Sequence, residues 1–288
     1  MHAMNIISAN NLACPIDKLA LTKRAGCYQC DNGHSFDIAK QGYVNLLPVQ
    51  YKRSKDPGDS KAMVQARTRF LDAGFYQAVA DDLSSLIIKN IPAIKSSCIL
   101  DAGCGEGYYL NQVINATQKL NNENDIAFAG IDISKHAIIA ASKRNKQASW
   151  IVGTNSQPPF LKQSIDLVFC IFGFHSFSGF MDILKPGGKV ILVEPSANHL
   201  QELKAIIYAE PAMDKSKKPP ATTNNYSLIE SHTLQFQINL ETNMQILDLL
   251  SMTPHLFRAS HQGKANIETM DSLTLTADMI FRVFEYQP

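Results

Sequence analysis

Apolar and polar positions change period several times along this chain. Residues 12–47 carry apolar pairs and triplets of β character, each too brief for a helix. Residues 48–62 are polar and charged and hold the turn signal Asp56-Pro57-Gly58-Asp59, which predicts a loop. Over 63–90, apolar residues recur at helical spacing (Phe70, Leu71, Val79, Leu83, Leu86, Ile87), with a break near Gly74 and a stop at Pro92. From residue 97 the pattern alternates. Strands are expected at 98–100, 126–133, 150–152, 165–172 and 189–194, and helices at 108–119, from Ser134 to about 144, and at 199–209. Residues 235–240 and 273–284 read as further strands around a helix at about 243–250, while 1–11 read as a frayed tail and 210–230 as a loop. Alternating strands and helices imply an α/β, Rossmann-like domain with a parallel sheet covered on both faces.

Composition bounds this picture. A chain of 288 residues holds one large domain, or one domain of about 200 residues with a small appendage. No window approaches about 18 consecutive apolar residues, so no membrane-spanning helix is expected. The first residues lack the charged and apolar regions of a secretory signal, and the expected location is cytoplasmic. Net charge is +1, but residues 1–70 hold ten Lys/Arg against five Asp and no Glu, and the remainder is acidic. That basic third suits a polyanionic partner, with a solvated charged face as the plain alternative.

The segment Ile99-Leu100-Asp101-Ala102-Gly103-Cys104-Gly105-Glu106-Gly107 sets a glycine-rich turn between a strand and a helix. Glycines let the backbone approach a ligand closely, and ligands bind at the carboxyl ends of such strands. Glu106 would repel a phosphate, and neither the dinucleotide fingerprint nor a Walker lysine is present. Asp132, ending the next strand, suits a nucleoside instead, because a carboxylate there accepts hydrogen bonds from ribose hydroxyls. This turn, the later acid, and Pro186-Gly187-Gly188 before a later strand resemble class I S-adenosylmethionine-dependent methyltransferases. The resemblance implies that Asp101, Gly103, Gly105 and Glu106 line the methionine end, Asp132 holds the ribose, and Asn155 and Ser156 sit near adenine.

Three of the six cysteines cluster near the N-terminus: Cys14-Pro15-Ile16-Asp17, then Cys27-Tyr28-Gln29-Cys30, then His34. The spacing offers one zinc ion five candidate ligands, Cys14, Asp17, Cys27, Cys30 and His34, of which four suffice. A metal-free knuckle with inert thiols is the other reading of the same residues.

A closer resemblance runs through residues 34–48 (from His34-Ser35-Phe36-Asp37), Lys52-Arg53-Ser54-Lys55-Asp56-Pro57-Gly58-Asp59-Ser60 and Ala66-Arg67 to Tyr76. It is similar to the bacterial 23S rRNA guanine-N1 methyltransferases, which fuse a small zinc-ribbon-like module to a methyltransferase domain. The resemblance implies methyl transfer from S-adenosylmethionine to N1 of a guanine in a 23S rRNA hairpin loop. It places zinc on Cys14, Cys30 and His34, with Asp17 as the fourth ligand and Cys27 as the alternative, and adds Tyr76 and His199 to the cofactor contacts. It divides the chain into a zinc-binding, RNA-recognition module (1–47), a basic linker with helices (48–95) and the methyltransferase domain (96–288), and suggests a homodimer. Lys52, Arg53, Lys55, Arg67 and Arg69 are the expected phosphate contacts. The chain departs from the family pattern at Asp17, where a cysteine is usual, and at Cys170-Ile171-Phe172-Gly173-Phe174, where Tyr-Ala-Pro is usual. No catalytic base is assigned; Asp166 reads as structural, and His175 is a candidate by position alone. A small-molecule methyltransferase and a non-catalytic RNA-binding protein on the same fold are the competing expectations.

Overall fold

In a computed structural model, residues 5–52, 54–92, 94, 96–120, 125–208, 222–223 and 225–288 are described. In chain order the first strands are β1 (Asn5–Ile7), β2 (Thr22–Lys23), β3 (Cys27–Gln29), β4 (Ser35–Asp37) and β5 (Tyr43–Asn45). Helices α1 (Lys61–Asp72) and α2 (Gln77–Asn90) follow, then β6 (Ser96–Ala102), α3 (Tyr108–Thr117), β7 (Asp125–Asp132), α4 (Lys135–Arg144), β8 (Ser149–Val152) and β9 (Ile165–Ile171). The remainder is α5 (Phe177–Ile183), β10 (Leu184–Pro195), α6 (Gln201–Ile207), β11 (Thr222–Thr223), β12 (Tyr226–Leu240), α7 (Asn243–Ser251), α8 (His255–Arg258), α9 (His261–Glu268) and β13 (Leu273–Tyr286).

Ten strands form one sheet, ordered β11-β12-β13-β10-β9-β6-β7-β8-β5, with β1 paired to β7. Strands β5 to β10 run parallel where they pair, and β13 enters antiparallel between β10 and β12. The chain moves outward from β6 through β7 to β8, then returns to the other side of β6 as β9. That reversal is the topological switch point, where open α/β sheets bind their ligands.

Side chains alternate between two cores, as the period of a strand requires. Ile99, Phe128, Leu167, Phe169 and Ile191 face the layer built from α1, α2, α3, α4, α6, α7 and α9. Leu100, Ala129, Val168, Cys170 and Leu192 face the other way, against α5 and the N-terminal segment, including Leu12, Cys14, Leu21 and Cys30. The Cys/His module is therefore packed on one face of the sheet.

Several expectations need correction. The supposed tail 1–11 instead contributes β1, which runs parallel to Asp125–Ala127. β8 covers only Ala129–Asp132 of β7, so the start of that strand has a free edge that β1 fills. The expected loop at 210–230 ends early, because β12 begins at Tyr226; residues 209–221 and 224 lie outside the described residues. Alternation continues through β12, but Ser, His, Thr and Gln on its open face hide it from a search for apolar runs. Helices α5, α8 and α9 were not expected; each has eight residues or fewer, too short to show periodicity. His199 precedes α6 rather than starting it, since Leu200 is the N-cap at φ 53°.

Candidate active site and metal centre

The turn between β6 and α3 is held from two sides. The amides of Gly103 and Cys104 both donate to the Ile131 carbonyl, at 2.8 and 3.0 Å. Asp132 accepts from the Gly105 amide at 3.0 Å and the Ser134 amide at 2.8 Å. An ionised carboxylate has about four acceptor positions, so each Asp132 oxygen keeps one for a ligand. Gly107 closes the turn at φ 80°, and a Cβ there would lie 2.6 Å from the Trp150 ring and 3.0 Å from the Ala141 side chain. Only glycine fits.

Three buried polar atoms around this turn have no hydrogen-bond partner among the described residues: Asp101 Oδ2, the Tyr109 hydroxyl and Glu106 Oε1, which lies 4.0 Å from Arg144 Nη2. Unpaired buried polar atoms are costly and call for an explanation. Burial pushes the Asp101 carboxyl well up from its usual range, and the neighbouring Asp132 and Glu106 carboxylates push it the same way. Burial also raises Glu106, against the pull of Arg67 and Arg144. Such a cradle is short of positive charge and rich in acceptors. It repels phosphate and suits S-adenosylmethionine, whose sulfonium and ammonium are cationic.

Beside the cradle stand three rings. The Tyr76 hydroxyl lies 3.5 Å from His199 Nε2. Phe172 lies roughly parallel to His199 at 5.9 Å between centroids, and 6.0 Å from Tyr76. His199 Nδ1 accepts from the Asp278 amide at 3.3 Å. In the neutral ring this leaves the proton on Nε2, facing Tyr76. Burial, helped by Lys204 and His255, lowers the His199 pKa to about 4. Phe172 takes φ 52° at the end of β9 and remains partly exposed; Phe174, two residues on, is 72% exposed. Asn155 Nδ2 donates to the Phe174 carbonyl at 2.7 Å, which ties the loop after β8 to the loop after β9. Ser156 is exposed, within 3.0 Å of the Thr154 hydroxyl.

Asp166 is structural: it accepts from Lys185 Nζ at 2.8 Å and from the Cys98 amide at 2.8 Å. His175 packs its ring edge-on against Phe177, 5.4 Å away.

On the other face of the sheet, Cys14, Asp17, Cys30 and His34 converge, each offering one ligand atom within 4.8 Å of the others. Two tight turns bring them there. The Lys18 amide donates to Cys14 O while Lys18 takes φ 66°, and the Gly33 amide donates to Cys30 O. His34 Nδ1 lies 3.6 Å from Cys14 Sγ, 3.4 Å from Cys30 Sγ and 3.1 Å from Asp17 Oδ2; Cys30 Sγ lies 3.4 Å from Asp17 Oδ2. Tetrahedral zinc bonds to sulfur and to nitrogen or oxygen set such atoms roughly 3.3–3.8 Å apart; the three sulfur distances lie in that range and the His34–Asp17 pair lies just short of it, so small shifts seat the ion. Two thiolates and a carboxylate also carry the same charge as three thiolates. Burial opposes ionisation of Asp17, but hydrogen bonds from Cys14, the Leu19 amide, Cys30 and Asn32 outweigh it and hold the carboxyl well below its usual range. Cys27 stands outside this group: it lies in β3, opposite Asp37.

The expected phosphate contacts divide. Lys55 is exposed and Lys52 partly so, while Arg53 lies outside the described residues. Arg67 and Arg69 are committed within the fold. Arg69 grips Asp248 with two bonds, at 2.9 and 2.5 Å, and joins α1 to α7. Arg67 donates to Asp59 at 2.5 Å and to the Met252 carbonyl at 3.1 Å. Arg67 is largely buried, its side chain 22% exposed, whereas Arg69 stays 54% exposed and is held at the surface by Asp248. Sequence reading missed Tyr109, which looks like one more aromatic at a helix start; only its buried, unpaired hydroxyl marks it.

Residues 12–55 match the family model described as the N-terminal domain of RlmA, a zinc ribbon, and residues 99–188 match a methyltransferase domain. A Bacillus subtilis (strain 168) protein named "Putative 23S rRNA (guanine-N(1)-)-methyltransferase YxjB" is 28% identical over 260 residues, covering 86% of this chain and 87% of the relative. The 23S rRNA (guanine(748)-N(1))-methyltransferase of Streptomyces fradiae is 31% identical over 193 residues, covering 67% and 66%. With an RlmA-type zinc ribbon joined to a class I methyltransferase domain, and relatives of this kind matched over most of its length, the chain belongs to the 23S rRNA (guanine-N1)-methyltransferase family.

Proposed function

We propose that this protein transfers a methyl group from S-adenosylmethionine to N1 of a guanine in a hairpin loop of 23S rRNA. The observation that carries this reading is the cradle at the switch point, where Asp101 and Glu106 each keep a buried oxygen without a hydrogen bond, opening beside exposed Phe172 and Phe174. S-adenosylmethionine, when bound, supplies an electrophilic methyl on a good leaving group, so catalysis rests largely on positioning. In this reading Asp132 accepts from the ribose hydroxyls with its two free positions. Asp101 and Glu106 face the ammonium, Gly103 and Gly105 allow close approach, and Asn155 borders adenine. Tyr76 and neutral His199 close the wall beside the methionine end. Phe172 and Phe174 offer a face on which a splayed base stacks, as single-stranded RNA recognition requires. No side chain is assigned to take the N1 proton.

Zinc on Cys14, Asp17, Cys30 and His34 would hold the ribbon's two turns together. Residues 1–47 form the recognition module, 48–95 the linker and helices, and 96–288 the methyltransferase domain. Lys52, Arg53 and Lys55 contact RNA phosphates. The protein works in the cytoplasm as a homodimer.

The test is transfer of labelled methyl to 23S rRNA lacking its natural modifications, mapped by primer extension. A stop at one hairpin guanine is expected. Cofactor binding without transfer to RNA would move the function to a small acceptor or a binding role.

A further inference from the structure

α1 turns Arg67 towards the cofactor cradle. A Cβ on Gly105 would lie 3.7 Å from Arg67 Nη1 and 3.9 Å from its Cδ, so the guanidinium borders the turn itself. The Arg67 side chain is 22% exposed. Two of its five N–H groups reach Asp59 and the Met252 carbonyl, and the other three have no acceptor among the described residues.

The charges around it define what is missing. Asp101, Glu106, Asp132 and Asp59 supply acceptors for the cationic parts of a ligand. An amino-acid end also brings a carboxylate, which needs donors. Among the described residues two cations flank the turn, and Arg144 is already engaged: its Nε donates to the Glu106 carbonyl at 3.2 Å, its Nη1 to Asp72 at 2.7 Å, and its Nη2 lies 4.0 Å from Glu106 Oε1. The Tyr109 hydroxyl, buried and unpaired on the first turn of α3, is a further donor nearby. We infer that Arg67 binds the carboxylate of the methionyl end of S-adenosylmethionine, with the Tyr109 hydroxyl as a second donor. This rests on the cofactor reading proposed above and gives a linker arginine a cofactor role rather than an RNA role.

The full chain is titrated calorimetrically with S-adenosylhomocysteine and with its decarboxylated analogue, which keeps the ammonium. Loss of a charge-assisted pair predicts that Arg67→Ala weakens S-adenosylhomocysteine about 10- to 100-fold, while the decarboxylated analogue changes less than about threefold. Arg67→Lys should recover part of the loss, and Tyr109→Phe should weaken only the ligand with the carboxylate. Thermal melting identifies any variant that fails to fold, in which case Arg67→Lys and Tyr109→Phe carry the comparison. Equal losses for both ligands would make Arg67 a prop for the turn and overturn the assignment, as would no loss for either. A wild-type chain that binds neither ligand overturns the cofactor reading itself, and the assignment with it.

Discussion

Replacing Gly107 by alanine tests whether the cofactor turn is shaped by packing or by its ligand. The backbone there sits at φ 80°, and leaving glycine in the left-handed region costs about 1–2 kcal/mol. The added methyl would lie 2.6 Å from Trp150 Cη2 and 3.2 Å from the Ala141 Cα. Trp150 has little room to retreat: it is 2% exposed, and its indole N–H donates to the Asn145 carbonyl at 2.8 Å. Overpacking of this kind adds about 1–3 kcal/mol. The sum, about 2–5 kcal/mol, lowers the melting temperature by roughly 5–15 °C in a chain of this size. Gly105→Ala is the control, because its Cβ meets only Arg67 at 3.7–3.9 Å, and a loss near 1 kcal/mol from the backbone alone is expected. Urea unfolding of the two variants without ligand measures the difference. Equal losses, or a Gly107→Ala loss below about 1 kcal/mol, would show that the Trp150 contact does not constrain the turn.

Three further outcomes follow from the geometry. Asp17→Cys should keep one zinc per chain, Cys30→Ala should lose it, and Cys27→Ser should leave metal content unchanged after a chelator challenge; zinc loss in Cys27→Ser would put that thiol in the site. His199 is buried neutral, with its pKa lowered from 6.5 to about 4, so the unfolded chain binds the extra proton first as pH falls. Its contribution is intact above about pH 6.5 and is lost progressively towards pH 4, at most about 3 kcal/mol; His199→Gln should flatten stability measured across that window, and an unchanged slope would point to another group. Lys52→Ala and Lys55→Ala should each reduce the salt dependence of RNA binding by somewhat under one unit of slope, whereas Arg69→Ala should chiefly lower stability by freeing buried Asp248; a salt-slope change in Arg69→Ala alone would reverse that division.

What the sequence by itself determined is the part carried by local physics. The period of apolar residues marks β6, β7, β8 and β9, and Ser134 marks the start of α4 through its own cap. Glycines at 103, 105 and 107 mark the turn because all three take positive φ, which glycine adopts without strain, and at Gly107 the space admits no side chain. The metal cluster was legible for the same reason: Cys14 with Asp17, and Cys30 with His34, are each close enough in sequence for one turn to join them. Tertiary structure decided what depends on distant segments. β1 finds its place only because β8 leaves part of the β7 edge bare, and nothing in residues 1–11 specifies that vacancy. The ribbon's position on the sheet comes from the second apolar face of strands some seventy or more residues further on. Arg67 and Arg69 read alike as exposed basic residues of one helix, yet Asp59, brought in by the linker, holds Arg67 inward, and Asp248, brought in by α7, ties Arg69 down at the surface. A charge settles where its partner is, and for these residues the partner is fixed by the fold rather than by neighbours in sequence.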